Sequence, residues 1–213
     1  MIYLLSPLKK EGTHALPMIS FELLTDTINF SSCDLLMFTS KQAVLSANTI
    51  DGSWKNYPCL AIGKATKKQI ESLGGEVIYA PKDFYGESLA KDIQKLFAHQ
   101  KILYLRPKVV SFDSKAYLAE QGIDLAEQII YETSCIDYQE KEKPKKGAVI
   151  IFTSPSTIRC FFKNFDWDKS YKAVLIGKAT QKHLPKECDY VVADEPLIDA
   201  CIRKAKSRIH WFR

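Results

Sequence analysis

Phe38-Thr39-Ser40 and Phe152-Thr153-Ser154 each end an apolar run, and Gly63-Lys64-Ala65-Thr66 and Gly177-Lys178-Ala179-Thr180 end two more. These residue types at strand ends suit anion binding. A Ser or Thr there caps a helix by accepting from its free amides, and a glycine lets the backbone approach a ligand. First-turn amides together with a lysine then offer positive charge to a carboxylate or a phosphate. Pro155 follows Ser154 at the preferred first-turn place for proline. The glycine stretches resemble the tail of a phosphate-binding loop. However, Ala65 and Ala179 stand where a hydroxyl residue should follow the lysine, and no glycine stands five residues before Gly63 or Gly177, so a nucleotide site fails on pattern.

"AIGKAT" at 61–66 and "LIGKAT" at 175–180 lie 114 residues apart, and the Phe-Thr-Ser triplets share that offset of 114, so the chain carries an internal duplication. Apolar runs expected as strands are 2–5, 35–38, 60–62, 77–79, 102–105, 128–131, 149–152, 173–176 and 190–193. Helical patterns occupy 41–48, 64–73, 86–98, 112–121, 156–163, 178–184 and 196–208. This alternation predicts an α/β fold with largely parallel sheets. Two segments, 17–24 and 135–147, break the rhythm and read as connections between halves. If the first repeat lies between them, the second must borrow the strand at 2–5. The expected organisation is therefore a discontinuous lobe of residues 1–18 plus 140–213, with 22–134 inserted as the other lobe. All four motifs fall at carboxyl ends of strands, where open parallel sheets bind ligands. The expectation is a cleft between the lobes for a large, elongated polyanion.

The bulk properties narrow the partners. Apolar residues at 46% let each half bury a core, and a net charge of +5, much of it in the lysines at 141–146 and the stretch 203–213, permits an anionic small molecule without a dense nucleic-acid-binding face. The tail "IRKAKSRIHWFR" reads as a solvated helix face with a frayed end. The start "MIYLLSPLKKEG" lacks signal-peptide order, and no apolar run reaches the roughly 18 residues of a membrane span, so the reading is cytoplasmic. Six cysteines without a C-x-x-C pair read as reduced thiols, and four scattered histidines offer no metal-ligand spacing. No exposed heptad is legible, which predicts a monomer.

Taken in order and spacing, Phe-Thr-Ser at 38–40 with its helix, I-G-x-x-T at 62–66, "ILYLRP" at 102–107, "IIYET" at 129–133, Phe-Thr-Ser-Pro-Ser at 152–156 and I-G-x-x-T at 176–180 resemble uroporphyrinogen-III synthase over most of the chain. The resemblance implies two flavodoxin-like lobes joined by a two-stranded linker, one lobe discontinuous. It also implies a cofactor-free lyase that closes hydroxymethylbilane, a linear tetrapyrrole with eight carboxylates, with loss of water and inversion of the last ring. It gives Tyr131 a catalytic role as hydrogen-bond donor to the departing hydroxyl. Substrate binding would fall to Thr39, Ser40, Gly63, Lys64, Thr66, Arg106, Ser154, Ser156, Gly177, Lys178 and Thr180. Partners would be the tetrapyrrole substrate and, transiently, the preceding pathway enzyme, with no nucleic acid, membrane or metal. Departures stand at the start, where Pro7 has no arginine beside it and 4–17 leaves no room for a full helix. A second departure is at Arg106-Pro107, where the family usually has Arg-Gly.

Two other classes fit the same outline. One is a non-catalytic bilobal binding protein for an anionic metabolite. The other is a tandem of receiver-like or flavodoxin-like signalling domains, although Asp34, Asp137 and Asp189 lie before or away from strand ends.

Overall fold

In the computed structural model residues 1–31, 33–81, 83 and 85–208 are described, so the reading of 209–213 as a frayed end lies outside the described residues. The chain divides into unit 1, Met1–Ser20 with Ser134 onward, and unit 2, Phe21–Thr133.

Unit 2 is organised around β4 (Leu35–Phe38). Its sequence Leu-Leu-Met-Phe is apolar at every position because both faces are covered. Alternate side chains go opposite ways. Leu36 and Phe38 join one apolar layer with Trp54, Ile70 and Ile130, while Leu35 and Met37 join the other with Leu89, Ile93 and Tyr104. The flanking strands are β5 (Cys59–Ala61), β6 (Val77–Tyr79), β7 (Ile102–Pro107) and β8 (Leu125–Cys135), with β3 (Ile19–Leu23) at the edge, in the order β3-β8-β7-β4-β5-β6. The pairs from β8 through β6 are parallel. The helices are α1 (Lys41–Ile50), α2 (Lys64–Ser72), α3 (Gly86–Leu96) and α4 (Ser114–Ala119).

Unit 1 repeats the plan with β9 (Val149–Phe152), β10 (Lys172–Leu175) and β11 (Tyr190–Val192), followed respectively by α5 (Pro155–Asn164), α6 (Lys178–Gln181) and α7 (Ile198–Arg208). Its remaining strands come from the chain start. β1 (Ile2–Leu4) and β2 (His14–Ala15) complete the order β11-β10-β9-β1-β2, with every pair parallel. Strand β1 thus takes the place that β7 holds in unit 2, with Leu4 opposite Ile151 as Tyr104 is opposite Met37. Between β1 and β2 no helix forms.

The chain passes between the units along β3 and β8. Ile136 donates to Met18 at 3.0 Å and Leu24 donates to Ile130 at 3.1 Å, so the two strands run antiparallel. These are the segments that broke the sequence rhythm. β8 is longer than its apolar centre suggests, because pairing with β3 extends it to Cys135.

The expectation of six reduced cysteines is corrected. Cys135 and Cys160 form a disulfide, leaving Cys33, Cys59, Cys188 and Cys201 free. The reason is tertiary: the end of β8 meets α5 with the two Cα atoms 5.2 Å apart, within disulfide reach, across a separation of 25 residues that chain spacing alone does not reveal. Alkylation of the denatured, unreduced protein should therefore label four thiols, against six after reduction. Closing a loop with a separation of 25 residues restricts the unfolded chain, so reduction should lower stability by about 3–4 kcal/mol in chemical denaturation.

Candidate functional site

Strand β4 delivers Thr39 and Ser40 into the turn before α1. Ser40 is the N-cap, accepting from the Ala43 amide at 3.1 Å. Two buried tyrosines reach this turn from opposite faces of the sheet. The Tyr131 hydroxyl lies 3.0 Å from Ser40 Oγ, and the Tyr104 hydroxyl lies 2.8 Å from Thr39 Oγ1. Burial raises the pKa of both phenols, Tyr131 above its ordinary 10.0 and Tyr104 to about 12, with the Ser40 hydrogen bond opposing the shift at Tyr131. Both therefore remain protonated donors at neutral pH.

The matching turn in unit 1 is held differently. Ser154 accepts from the Thr157 amide at 3.2 Å, and Thr157 Oγ1 accepts from the Thr153 and Ser154 amides at 3.2 Å each, a reciprocal cap on α5 with Pro155 in its first turn. Ser156 follows, half-buried. Both serines of the triplets are thus structural caps, and each cap leaves the hydroxyl proton available.

The glycine motifs also diverge. Gly63 has φ of 79°, a left-handed conformation that strains any side chain, and α2 begins after it without a side-chain cap. Gly177 is extended with φ of −177°, and a Cβ there would meet nothing within 4 Å, so glycine is conformationally required only in the first copy. The predicted helix at 178–184 is a single turn ending at Gln181. Lys64 and Lys178 are exposed. Thr66 and Thr180 sit at equivalent first-turn places, 4% and 3% exposed, and among the described residues neither hydroxyl hydrogen-bonds to protein.

Arg106 is committed elsewhere. Its Nη1 donates to the carbonyls of Pro107 at 3.0 Å and Lys108 at 3.3 Å. Its buried Nε lies 3.1 Å from Glu127 Oε1, but the N–H is not aimed at that oxygen, so the contact is an ion pair without a hydrogen bond. In unit 2 the fold brings Thr39, Ser40 and Tyr131 together, and in unit 1 it joins Ser154 to the start of α5. Tyr104 was missed because "ILYL" reads as plain core. The signal was a phenol in the middle of a fully buried strand, which needs a partner for its hydroxyl.

Hydroxyls, free first-turn amides and protonated phenols make donors for carboxylates. Among the described residues no three His, Cys, Asp or Glu side chains converge to hold a metal, and no helix is long and apolar enough to cross a membrane.

The interleaved copies of one strand-turn-helix plan, joined by two strands, define a bilobal α/β protein with one discontinuous lobe. The sequence profile of the uroporphyrinogen-III synthase family matches residues 8–203, and the chain belongs to that family. Its activity is that of a lyase cyclising hydroxymethylbilane in tetrapyrrole biosynthesis. Two crystal structures share the fold. Uroporphyrinogen-III synthetase from Helicobacter pylori superposes with a TM-score of 0.76 at 24% identity, covering 97% of this chain and 98% of that one. A mutant uroporphyrinogen III synthase from the extremely thermophilic bacterium Thermus thermophilus gives 0.60 at 13% identity, covering 100% and 99%. No curated protein matches by sequence.

Burial of Tyr104 has a consequence at high pH. Its pKa is about 12 when folded against the ordinary 10.0, so above pH 10 the unfolded chain releases this proton first, and stability present below pH 10 is lost as pH rises towards 12. The loss attributable to Tyr104 should be about 2–3 kcal/mol. Urea titrations across that range should show a shallower decline in Tyr104→Phe.

Proposed function

We propose that the chain closes hydroxymethylbilane to uroporphyrinogen III, with loss of water and inversion of the last ring, using the strand-end turns of both units to hold the substrate's carboxylates. The observation that best supports this residue assignment is the 3.0 Å contact between Ser40 and Tyr131 at the start of α1. Ser40 Oγ already accepts from the Ala43 amide, so its proton is free to go to the Tyr131 oxygen. Tyr131 then has its own proton to give to the departing hydroxyl. That hydrogen bond stabilises the oxygen as the C–O bond breaks, and the N–H of the pyrrole bearing the hydroxymethyl group supplies the proton that completes water. The resulting azafulvene is attacked by the substituted carbon of the last ring, and a spiro intermediate opens and recloses.

The protein's main contribution is to hold the chain folded so that one ring closure is favoured. Thr66 and Thr180 with the first-turn amides of α2 and α6, Thr39 of the α1 turn, and Ser154 and Ser156 of the α5 turn serve as carboxylate donors, while Ser40 acts through its hydrogen bond to Tyr131. Gly63 and Gly177 allow close backbone approach, and Lys64 and Lys178 add exposed charge. Arg106 contributes by supporting the end of β7. We also place the enzyme in the cytoplasm as a monomer that meets the enzyme supplying its substrate only transiently. Cys160 is fully buried and Cys135 half-buried, which shields their link from thiol exchange there.

The test is cyclisation of freshly generated hydroxymethylbilane, with the oxidised products resolved into type I and type III isomers. Type III should predominate with the wild-type protein. Tyr131→Phe should lower kcat at least about tenfold, by the same factor at pH 7 and pH 9 since the phenol is protonated at both. Thr180→Val should raise KM by about ten- to a hundredfold, the worth of one hydrogen bond to a charged group. Wild-type-like kinetics in both variants would refute the residue assignment, and type I alone from the wild-type protein would refute the reaction.

A further inference from the structure

We propose that Tyr104 is a positioning residue that fixes the direction of the Thr39 hydroxyl, so that Thr39 presents its proton, rather than a lone pair, to a substrate carboxylate. The proposal rests on the reading of Thr39 as a substrate-binding residue given above.

Tyr104 is 2% exposed, lies in the apolar layer with Leu35, Met37 and Ile62, and has Thr39 Oγ1 as its one hydrogen-bond partner among the described residues, at 2.8 Å. A buried O–H without an acceptor is costly, and no other acceptor serves this phenol, so its proton lies on the line to Thr39. Thr39 must then accept. A hydroxyl that accepts along one direction carries its own proton in another, and Thr39 is half-buried, with part of its surface open to solvent. The result is an outward-facing donor whose polarity is strengthened by the bond behind it. Burial keeps the phenol protonated to about pH 12, so the direction holds throughout the working range.

The duplicated half argues against a purely structural role. Thr153 stands where Thr39 does, and the register position of Tyr104 is occupied by Leu4. α5 nevertheless forms after the same Phe-Thr-Ser triplet, capped by Ser154 and Thr157. The turn therefore folds without a tyrosine behind its threonine, and the hydroxyl on Tyr104 is available for orientation. Tyr104 also approaches the residue next to Ser40, which Tyr131 contacts from the other face of the sheet. Two adjacent hydroxyls are thus set independently by two phenols.

The test is a double-mutant cycle with Tyr104→Phe, Thr39→Val and the double variant, measured as KM and kcat for freshly generated hydroxymethylbilane. Tyr104→Phe keeps the ring that fills the core and removes only the hydroxyl. It should raise KM about three- to tenfold while kcat changes by less than about twofold. In the Thr39→Val background the same change should add less than about twofold, and in Thr39→Ser, which keeps the hydroxyl, the full effect of Tyr104→Phe should return. An unchanged KM in Tyr104→Phe, or an effect of equal size with and without the Thr39 hydroxyl, would overturn the proposal. A Thr39→Val variant with wild-type KM would also overturn it, and would place the failure in the assignment of Thr39 to the substrate rather than in the coupling. Should Tyr104→Phe not fold, Thr39→Val and Thr39→Ser test the contact from its exposed side. KM must then rise in the valine variant and stay near wild type in the serine variant.

Discussion

Both sheets are buried on two faces, and that constraint sets the rest of the molecule. A strand with apolar layers above and below must be covered by helices on each side, so the chain leaves the parallel strands β4, β5, β9 and β10 at the same end and turns there into a helix. The turns after β4, β5, β9 and β10 are consequently gathered at the carboxyl edges of their sheets, where the amides of the following helices start unpaired. Hydroxyl residues are needed there first to cap helices, and Ser40 and Ser154 do so with their oxygens. Only the proton left over is available for a ligand. The supply of hydrogen-bond donors at these turns is thus a by-product of how a doubly covered parallel sheet must be connected.

The same duplication has been resolved in two ways. Unit 2 steadies its Phe-Thr-Ser turn from behind with Tyr104 and Tyr131, whereas unit 1 steadies its own from in front with Thr157 and Pro155. One turn carries phenols held protonated by burial, and the other carries a capped helix start with no phenol hydrogen-bonded to Thr153 among the described residues. The two halves have diverged in chemistry more than in backbone.

What could be read from the residues alone follows this division. Strands with a continuous apolar run, such as Leu35–Phe38 and Val149–Phe152, were legible to the residue because burial on both faces leaves no room for polar alternation. The duplication and the borrowed strand at the chain start were legible from one shared offset. Less could be seen where a feature depends on a distant partner. β2 is only His14–Ala15, too short and exposed to carry a pattern, and it exists because β1 offers it a free edge. The Cys135–Cys160 link depends on where β8 ends against α5. Gly177 looked like Gly63 in sequence, yet only Gly63 has a backbone that demands glycine. The helix caps were visible from their motifs, and Tyr131 was singled out by the family resemblance. Tyr104 was not, since nothing local distinguishes a phenol with a partner from an aromatic that merely fills space.

Strand β1 pairs with β9, Ile2 beside Val149 and Leu4 beside Ile151, so a strand made early is completed by a much later one. During synthesis the intervening unit 2 has all its strands from β4 to β8 before β9 exists, and a chain growing at roughly 5–20 residues per second leaves β1 waiting on the order of ten seconds or more. Through that interval the apolar segment Ile2–Leu4 has only the two-residue β2 as a native neighbour. Its edge toward β9 stays open, and the nascent chain depends on nothing else capturing that edge before its partner emerges.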